Sequence, residues 1–100
     1  MIKMVALFRR PQDVEAFDRH YNEVHAPLMS KVPGLQRMEV IKGLKSFAGE
    51  PEYYQITEMY FQDQEAFSSA MSSPENRAAG KDLMSFARDV VTLVYGEVES

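Results

Sequence analysis

The chain has 100 residues, no cysteine and no tryptophan, with 45% hydrophobic and 26% charged residues and a formal net charge of −4. That balance describes one ordinary folded domain spanning 1–100, not a disordered tail. The missing cysteines exclude disulfides, thiolate metal centres and thiol nucleophiles, and no apolar run approaches the roughly 20 residues of a membrane span.

Ile2 to Phe8 reads as a first strand, apolar at nearly every position and so buried on both faces. The run is too short for a signal peptide and Arg9-Arg10 follows it rather than precedes it, so the chain reads as cytoplasmic. Pro11 ends the strand and Asp13 is placed to cap a helix. Val14, Phe17, Tyr21, Val24 and Leu28 then recur at steps of three and four, a narrow helical stripe. Pro27 lacks an N–H and crowds the preceding turn, so the helix is expected to kink or restart near His25-Ala26-Pro27 and to close at Val32-Pro33-Gly34.

A second strand is expected from Leu35 to Ile41 or Leu44, and a third from Glu52 to Phe61, rich in Tyr, Ile, Thr and Phe. Asp63 caps a short helix carrying Ala66, Phe67, Ala70 and Met71. Ser73-Pro74-Glu75 starts another, with Ser as cap, Pro at the first position and Glu near the positive end. Gly80 weakens that helix by about 1 kcal/mol relative to Ala. Val90 to Val98 is the last strand. The order β-α-β-β-α-β, with the second helix in two pieces, is the ferredoxin-like α+β pattern: an antiparallel four-stranded sheet with helices on one face. Two helices cover only one face, yet the first and last strands are apolar on both. The uncovered face is expected to meet a second copy, giving a homodimer packed sheet to sheet.

Few residues could carry chemistry. His20 and His25 lie five apart, roughly 140° around an α-helix at about 100° per residue, so they are not expected to share a face or a metal. His25 sits one turn after Tyr21, beside the apolar stripe and next to Pro27. There a proline-disturbed segment leaves backbone carbonyls that can fix the imidazole's orientation, so His25 is the candidate acid/base at an apolar cavity lined by Phe17, Tyr21 and strand aromatics; the plainer alternative is a partly buried histidine that caps those carbonyls. Glu58 interrupts an apolar strand. By alternation it shares a face with Tyr54, Ile56 and Tyr60, where a poorly solvated carboxylate would suit proton transfer; the plainer alternative is an ion pair, for instance with Arg37. Arg37 and Glu39 read as a charge pair. No Gly-rich phosphate loop and no G-x-S-x-G elbow occurs, so no nucleotide cofactor or serine nucleophile is expected, and no other cofactor is indicated. Nucleic acid is disfavoured by the charge and by the lack of clustered Lys and Arg. The seven methionines read as core filler.

Several segments fit one pattern together: Lys3–Phe8, Ala16-Phe17-Asp18-Arg19-His20-Tyr21, His25-Ala26-Pro27-Leu28, Val32-Pro33-Gly34-Leu35, Glu58-Met59-Tyr60-Phe61, Gly80-Lys81-Asp82 and Phe86-Ala87. In their joint spacing the whole chain resembles the EthD family, whose fold is the dimeric α+β barrel of ferredoxin-like subunits. That family takes its name from a protein tied to ether degradation beside a cytochrome P450 system. Its members are often labelled reductases, without a demonstrated cofactor site. Similar folds serve cofactor-free quinone-forming monooxygenases, muconolactone isomerases, polyketide cyclases and haem-binding enzymes, so fold does not choose the reaction. The absence of Trp departs from some of the monooxygenases. The resemblance implies a homodimer acting on a small hydrophobic or aromatic metabolite in a degradative or oxidative pathway. It would be a cofactor-independent oxidoreductase or isomerase with His25 as acid/base and Phe17, Tyr21, Tyr54 and Glu58 around the substrate. The alternative is a non-catalytic accessory protein that holds such a metabolite for a partner oxygenase.

Overall fold

The computed structural model describes residues 1–99. Four strands form one antiparallel sheet: β1 (Ile2–Phe8), β2 (Arg37–Lys42), β3 (Gln55–Phe61) and β4 (Val91–Glu97), in the spatial order β2-β3-β1-β4. The helices are α1 (Val14–His20), α2 (Ala26–Met29), α3 (Gln64–Met71) and α4 (Pro74–Ala87), with a π-helical turn at Tyr21–His25 joining α1 to α2. This is the ferredoxin-like arrangement, and no described helix is long and apolar enough to cross a membrane.

The helix starts follow from their caps. The Asp13 carboxylate accepts from the Ala16 N–H at 3.0 Å, Asp63 from Ala66 at 2.8 Å, and the Ser73 hydroxyl from Asn76 at 3.1 Å, each satisfying a donor that the first turn leaves free. Pro27 does not break the first helix. The chain instead widens by one residue: the Ala26 N–H reaches back to the Tyr21 carbonyl, five residues earlier, and α2 continues from there.

The widened turn changes which side chains face the sheet. The expected stripe continued from Tyr21 to Val24 and Leu28; instead it continues through His25 and Met29, which are buried, while Val24 is 41% exposed. The wider turn makes the buried stripe advance in steps of four, Phe17, Tyr21, His25 and Met29, rather than in alternating steps of three and four. His25 thereby moves from the edge of the stripe to its middle.

The register sorts the sheet's faces. Met4 pairs with Met59 and Tyr95, and Ala6 with Thr57 and Leu93, so these positions point towards the helices. The core there is built on Phe8, Phe17 and Tyr21, whose rings meet edge-on or stacked with centroids 5.3 to 6.2 Å apart, and on Phe61 against Phe67 at 5.3 Å. On the opposite face, Val5, Leu7, Ile56, Ile41 and Val94 have no layer over them. β4 is exposed on both sides, with Leu93 at 47%, Val94 at 49% and Tyr95 at 62%.

Three strands are shorter than the sequence suggested, β4 by one residue at each end. β3 begins at Gln55 rather than Glu52, because the chain bends at Glu52 and Tyr54 before pairing begins. β2 ends at Lys42, where Gly43 takes a φ of +66° that a side chain would resist.

Candidate functional site

A cavity of about 110 Å³ lies between the helices and the sheet. Most of its wall is apolar. Met4, Met29, Met59 and Met71 all face it; Met29 and Met59 belong to the core as expected, with Met4 and Met71 packed against it, and the same side chains also border this space. Unbranched thioether side chains yield readily and make favourable contacts with aromatic rings. Four polar groups interrupt the wall: the His25 ring, the Tyr21 hydroxyl, the Thr57 hydroxyl and the Asn76 amide. A mainly apolar space with a few convergent polar groups is the usual form of a small-ligand site.

His25 is 5% exposed, and its Nδ1 lies 3.1 Å from Oδ2 of Asp82 on α4. The second oxygen of the same carboxylate, Oδ1, lies 2.8 Å from Nε2 of His20. The two histidines therefore do share a face, contrary to the α-helical expectation, because the π turn aligns residues five apart. Phe86 packs against both rings, with centroids 4.4 Å from His20 and 5.4 Å from His25.

Burial pushes the His25 pKa below its ordinary value. The hydrogen bond and negative charge of Asp82 oppose that shift but do not cancel it, and His20 adds to it slightly. At neutral pH the ring is therefore uncharged. A neutral imidazole beside a carboxylate carries its proton on the nitrogen that faces the carboxylate, so Nδ1–H donates to Asp82 and Nε2 keeps a free lone pair. The His25 ring lines the cavity and Asp82 does not, and Nε2 is the ring nitrogen that Asp82 leaves free.

Tyr21 lies 2.9 Å, hydroxyl to hydroxyl, from Thr57, and the Gln55 amide donates to Thr57 at 3.1 Å. Burial raises the Tyr21 pKa and the bond to Thr57 offsets this only in part, so the phenol stays protonated and able to donate. Gln55 is fully buried and its Oε1 has no partner among the described residues.

The remaining residues singled out from the sequence lie elsewhere. Phe17 packs behind Tyr21 and against Phe86 at 5.4 Å, supporting the site without lining the cavity. Tyr54 precedes β3 and does not share a face with Glu58. Its hydroxyl turns to Asp18 on α1, donating at 2.8 Å to Oδ2, and Lys42 reaches the same carboxylate at 2.6 Å. Glu58 stands on the uncovered face of the sheet, separated from His25 by the sheet itself. There it meets Lys3 at 3.6 Å and accepts from Tyr60 at 3.3 Å, so its ion pair is with Lys3 rather than Arg37. Arg37 instead lies 3.8 Å from Glu39 and over the Tyr60 ring.

Sequence reasoning missed Asp82. The signal was present: α4 turns Ala79, Leu83 and Ala87 inward, and Asp82 and Phe86 adjoin that stripe. A carboxylate at the margin of a core-facing stripe calls for a partner.

The fold and the site together describe a ferredoxin-like α+β subunit with a histidine at an apolar cavity. The EthD domain family matches residues 9–89, and the chain belongs to that family. It is 44% identical to an ethyl tert-butyl ether d (EthD) family protein of Bacillus halodurans, with 99% of each chain covered and a TM-score of 0.94. It is 29% identical to an uncharacterized 11.0 kDa protein of Rhodococcus erythropolis from the thcB-thcC intergenic region, across all of this chain and 97% of that one. More distant structures share the fold. One is a dimeric ferredoxin-like protein of unknown function from Jannaschia sp. (19% identity, 98% and 100% covered, TM-score 0.71). Another is a mutant form of SnoaB, a cofactor-independent oxygenase from Streptomyces nogalater (16%, 99% and 91% covered, TM-score 0.64).

Proposed function

We propose that the protein is a cytoplasmic, homodimeric, cofactor-independent enzyme that removes a proton from a small hydroxyaromatic metabolite, with His25 as the base. The observation that carries this reading is the placement of His25: buried, held at Nδ1 by Asp82 and lining an apolar cavity; burial lowers its pKa, which favours the neutral ring. A ligand hydroxyl or activated C–H within reach of Nε2 gives its proton to that nitrogen. The electron pair stays on the ligand and delocalises onto a ring oxygen. A protonated Tyr21 hydroxyl is placed to donate to such an oxygen, and the four methionines accept the ring. Proton removal serves an isomerase as well as an oxygenase that uses the deprotonated ring itself to reduce dioxygen. The distant likeness to a cofactor-independent oxygenase is in keeping with the second. The uncovered sheet face and the doubly exposed β4 favour a dimer, as do distant neighbours described as dimeric.

The test uses 1,4-naphthohydroquinone and 1-naphthol as probes, following ring-proton exchange in deuterated buffer and oxygen uptake. Activity that falls about 10²- to 10⁴-fold in His25→Ala, with far-UV circular dichroism unchanged, supports the proposal. Probes that bind but show no His25-dependent turnover favour the accessory role, in which the protein holds the metabolite for an oxygenase. Light scattering should give twice the 11.4 kDa chain mass.

A further inference from the structure

The Asp82 carboxylate stands between two environments. Its Oδ2 faces His25, whose side chain is 6% exposed, and its Oδ1 faces His20, whose side chain is 33% exposed and borders an outer groove between α1 and the end of α4. Asp82 itself is 13% exposed. A carboxylate held at one oxygen can turn about its side-chain bond and present either oxygen to its partner. Held at both, it cannot turn without breaking two bonds. From this geometry, and resting on the reading of His25 as the base, we infer that His20 is a positioning residue: its Nε2–H holds Oδ1, which keeps Oδ2 on Nδ1 of His25 and leaves Nε2 as that ring's free nitrogen in the cavity.

Three observations support the assignment. Phe86 lies against both imidazoles, so neither ring swings freely. The bond at His20 is the shorter of the two, 2.8 Å against 3.1 Å, although His20 is the more exposed ring. The alignment also depends on the π turn, a departure from α geometry that often marks functional sites. In an unbroken α-helix His20 would point roughly 140° away from His25. The charged groups around the pair are few. Asp82 is shared, Tyr21 faces His25, and across the groove His20 looks towards Arg10, Asp13, Arg88 and Asp89.

The test reads the tautomer of His25 directly from long-range nitrogen–proton NMR spectra between pH 5 and 9, on wild type, His20→Gln, His20→Leu and Asp82→Ala. Glutamine places an amide N–H close to where histidine holds Nε2, so His20→Gln should retain the wild-type spectrum, with Nδ1 protonated and Nε2 bare. His20→Leu and Asp82→Ala should show both tautomers, with the wild-type form reduced at least severalfold, and His20→Leu should still fold because its site is partly exposed. A His20→Leu spectrum identical to wild type overturns the assignment, as does a His20→Gln spectrum no closer to wild type than His20→Leu. The readout needs neither ligand nor turnover. Loss of the tautomer in His20→Leu, in a protein that turns over no hydroxyaromatic probe, would overturn the proposed reaction while upholding the role of His20.

Discussion

Replacing Thr57 with valine keeps the shape of a side chain that is 2% exposed but removes the hydroxyl at the centre of the Tyr21–Thr57–Gln55 chain. Because the two residues are nearly isosteric, no cavity term enters, and the cost comes from the polar groups left behind. Tyr21 borders the cavity and can turn its hydroxyl there, so its share is small, about 1 kcal/mol. Gln55 has no such escape: it is fully buried and, among the described residues, its Oε1 has no partner and Thr57 is its one side-chain hydrogen-bond partner. An unsatisfied buried amide costs about 1–3 kcal/mol. Together these give about 2–4 kcal/mol, a large part of the roughly 5–15 kcal/mol that stabilises an ordinary domain. Urea unfolding at fixed protein concentration should show the midpoint falling with the slope unchanged, and the melting temperature should drop by about 10–25 °C. Replacing Gln55 with methionine in the same chain removes the stranded amide and should recover at least half of the loss. A Thr57→Val protein within about 0.5 kcal/mol of wild type would refute the reasoning, as would a double variant less stable than the single.

Two further outcomes follow from the same geometry. Gly80 lies in α4 on the cavity wall, and a Cβ built there meets nothing within 4 Å. Gly80→Ala should therefore stabilise the fold by about 1 kcal/mol through helix propensity while weakening the binding of 4-bromophenol, as calorimetry and thermal melts would show. The depressed pKa of His25 gives stability a pH dependence of definite sign. The unfolded chain titrates this group near 6.5, and the folded chain resists protonation down to a lower pH. The contribution is whole above 6.5 and is lost as pH falls from there through the folded value, where the unfolded state takes up a proton that the native state refuses. Stability measured from pH 8 to 5 should fall less steeply in His25→Asn than in wild type; equal slopes would contradict the shift.

Most of the fold could be read from the chain because its signals are local. Caps at Asp13, Asp63 and Ser73, the alternation in the strands and the apolar spacing of the helices each report on a few neighbouring residues. The site was legible only in part. His25 and Tyr21 stood out by their spacing, but the π turn that moves His25 to the centre of the stripe arises where Pro27 removes a hydrogen-bond donor. The sequence predicts that a disturbance must occur there, not whether the helix kinks or widens. Asp82 is 57 residues from His25, and only the packing of α4 brings them together. Tyr54 and Glu58 were grouped by strand alternation, which holds only within a strand. Because pairing begins at Gln55, the bend before it sends Tyr54 to the helix side and leaves Glu58 on the other.

The central claim is that Nε2 of His25 faces a ligand in the methionine-lined cavity. Crystals soaked in 4-bromophenol test it most directly, because the bromine is located by its anomalous signal and the phenol oxygen by its density. The account predicts bromine among Met4, Met29, Met59 and Met71, with the phenol oxygen within hydrogen-bonding distance of Nε2. Bromine found only in the outer groove or on the open sheet face, with Nε2 bonded to a protein group, would contradict it.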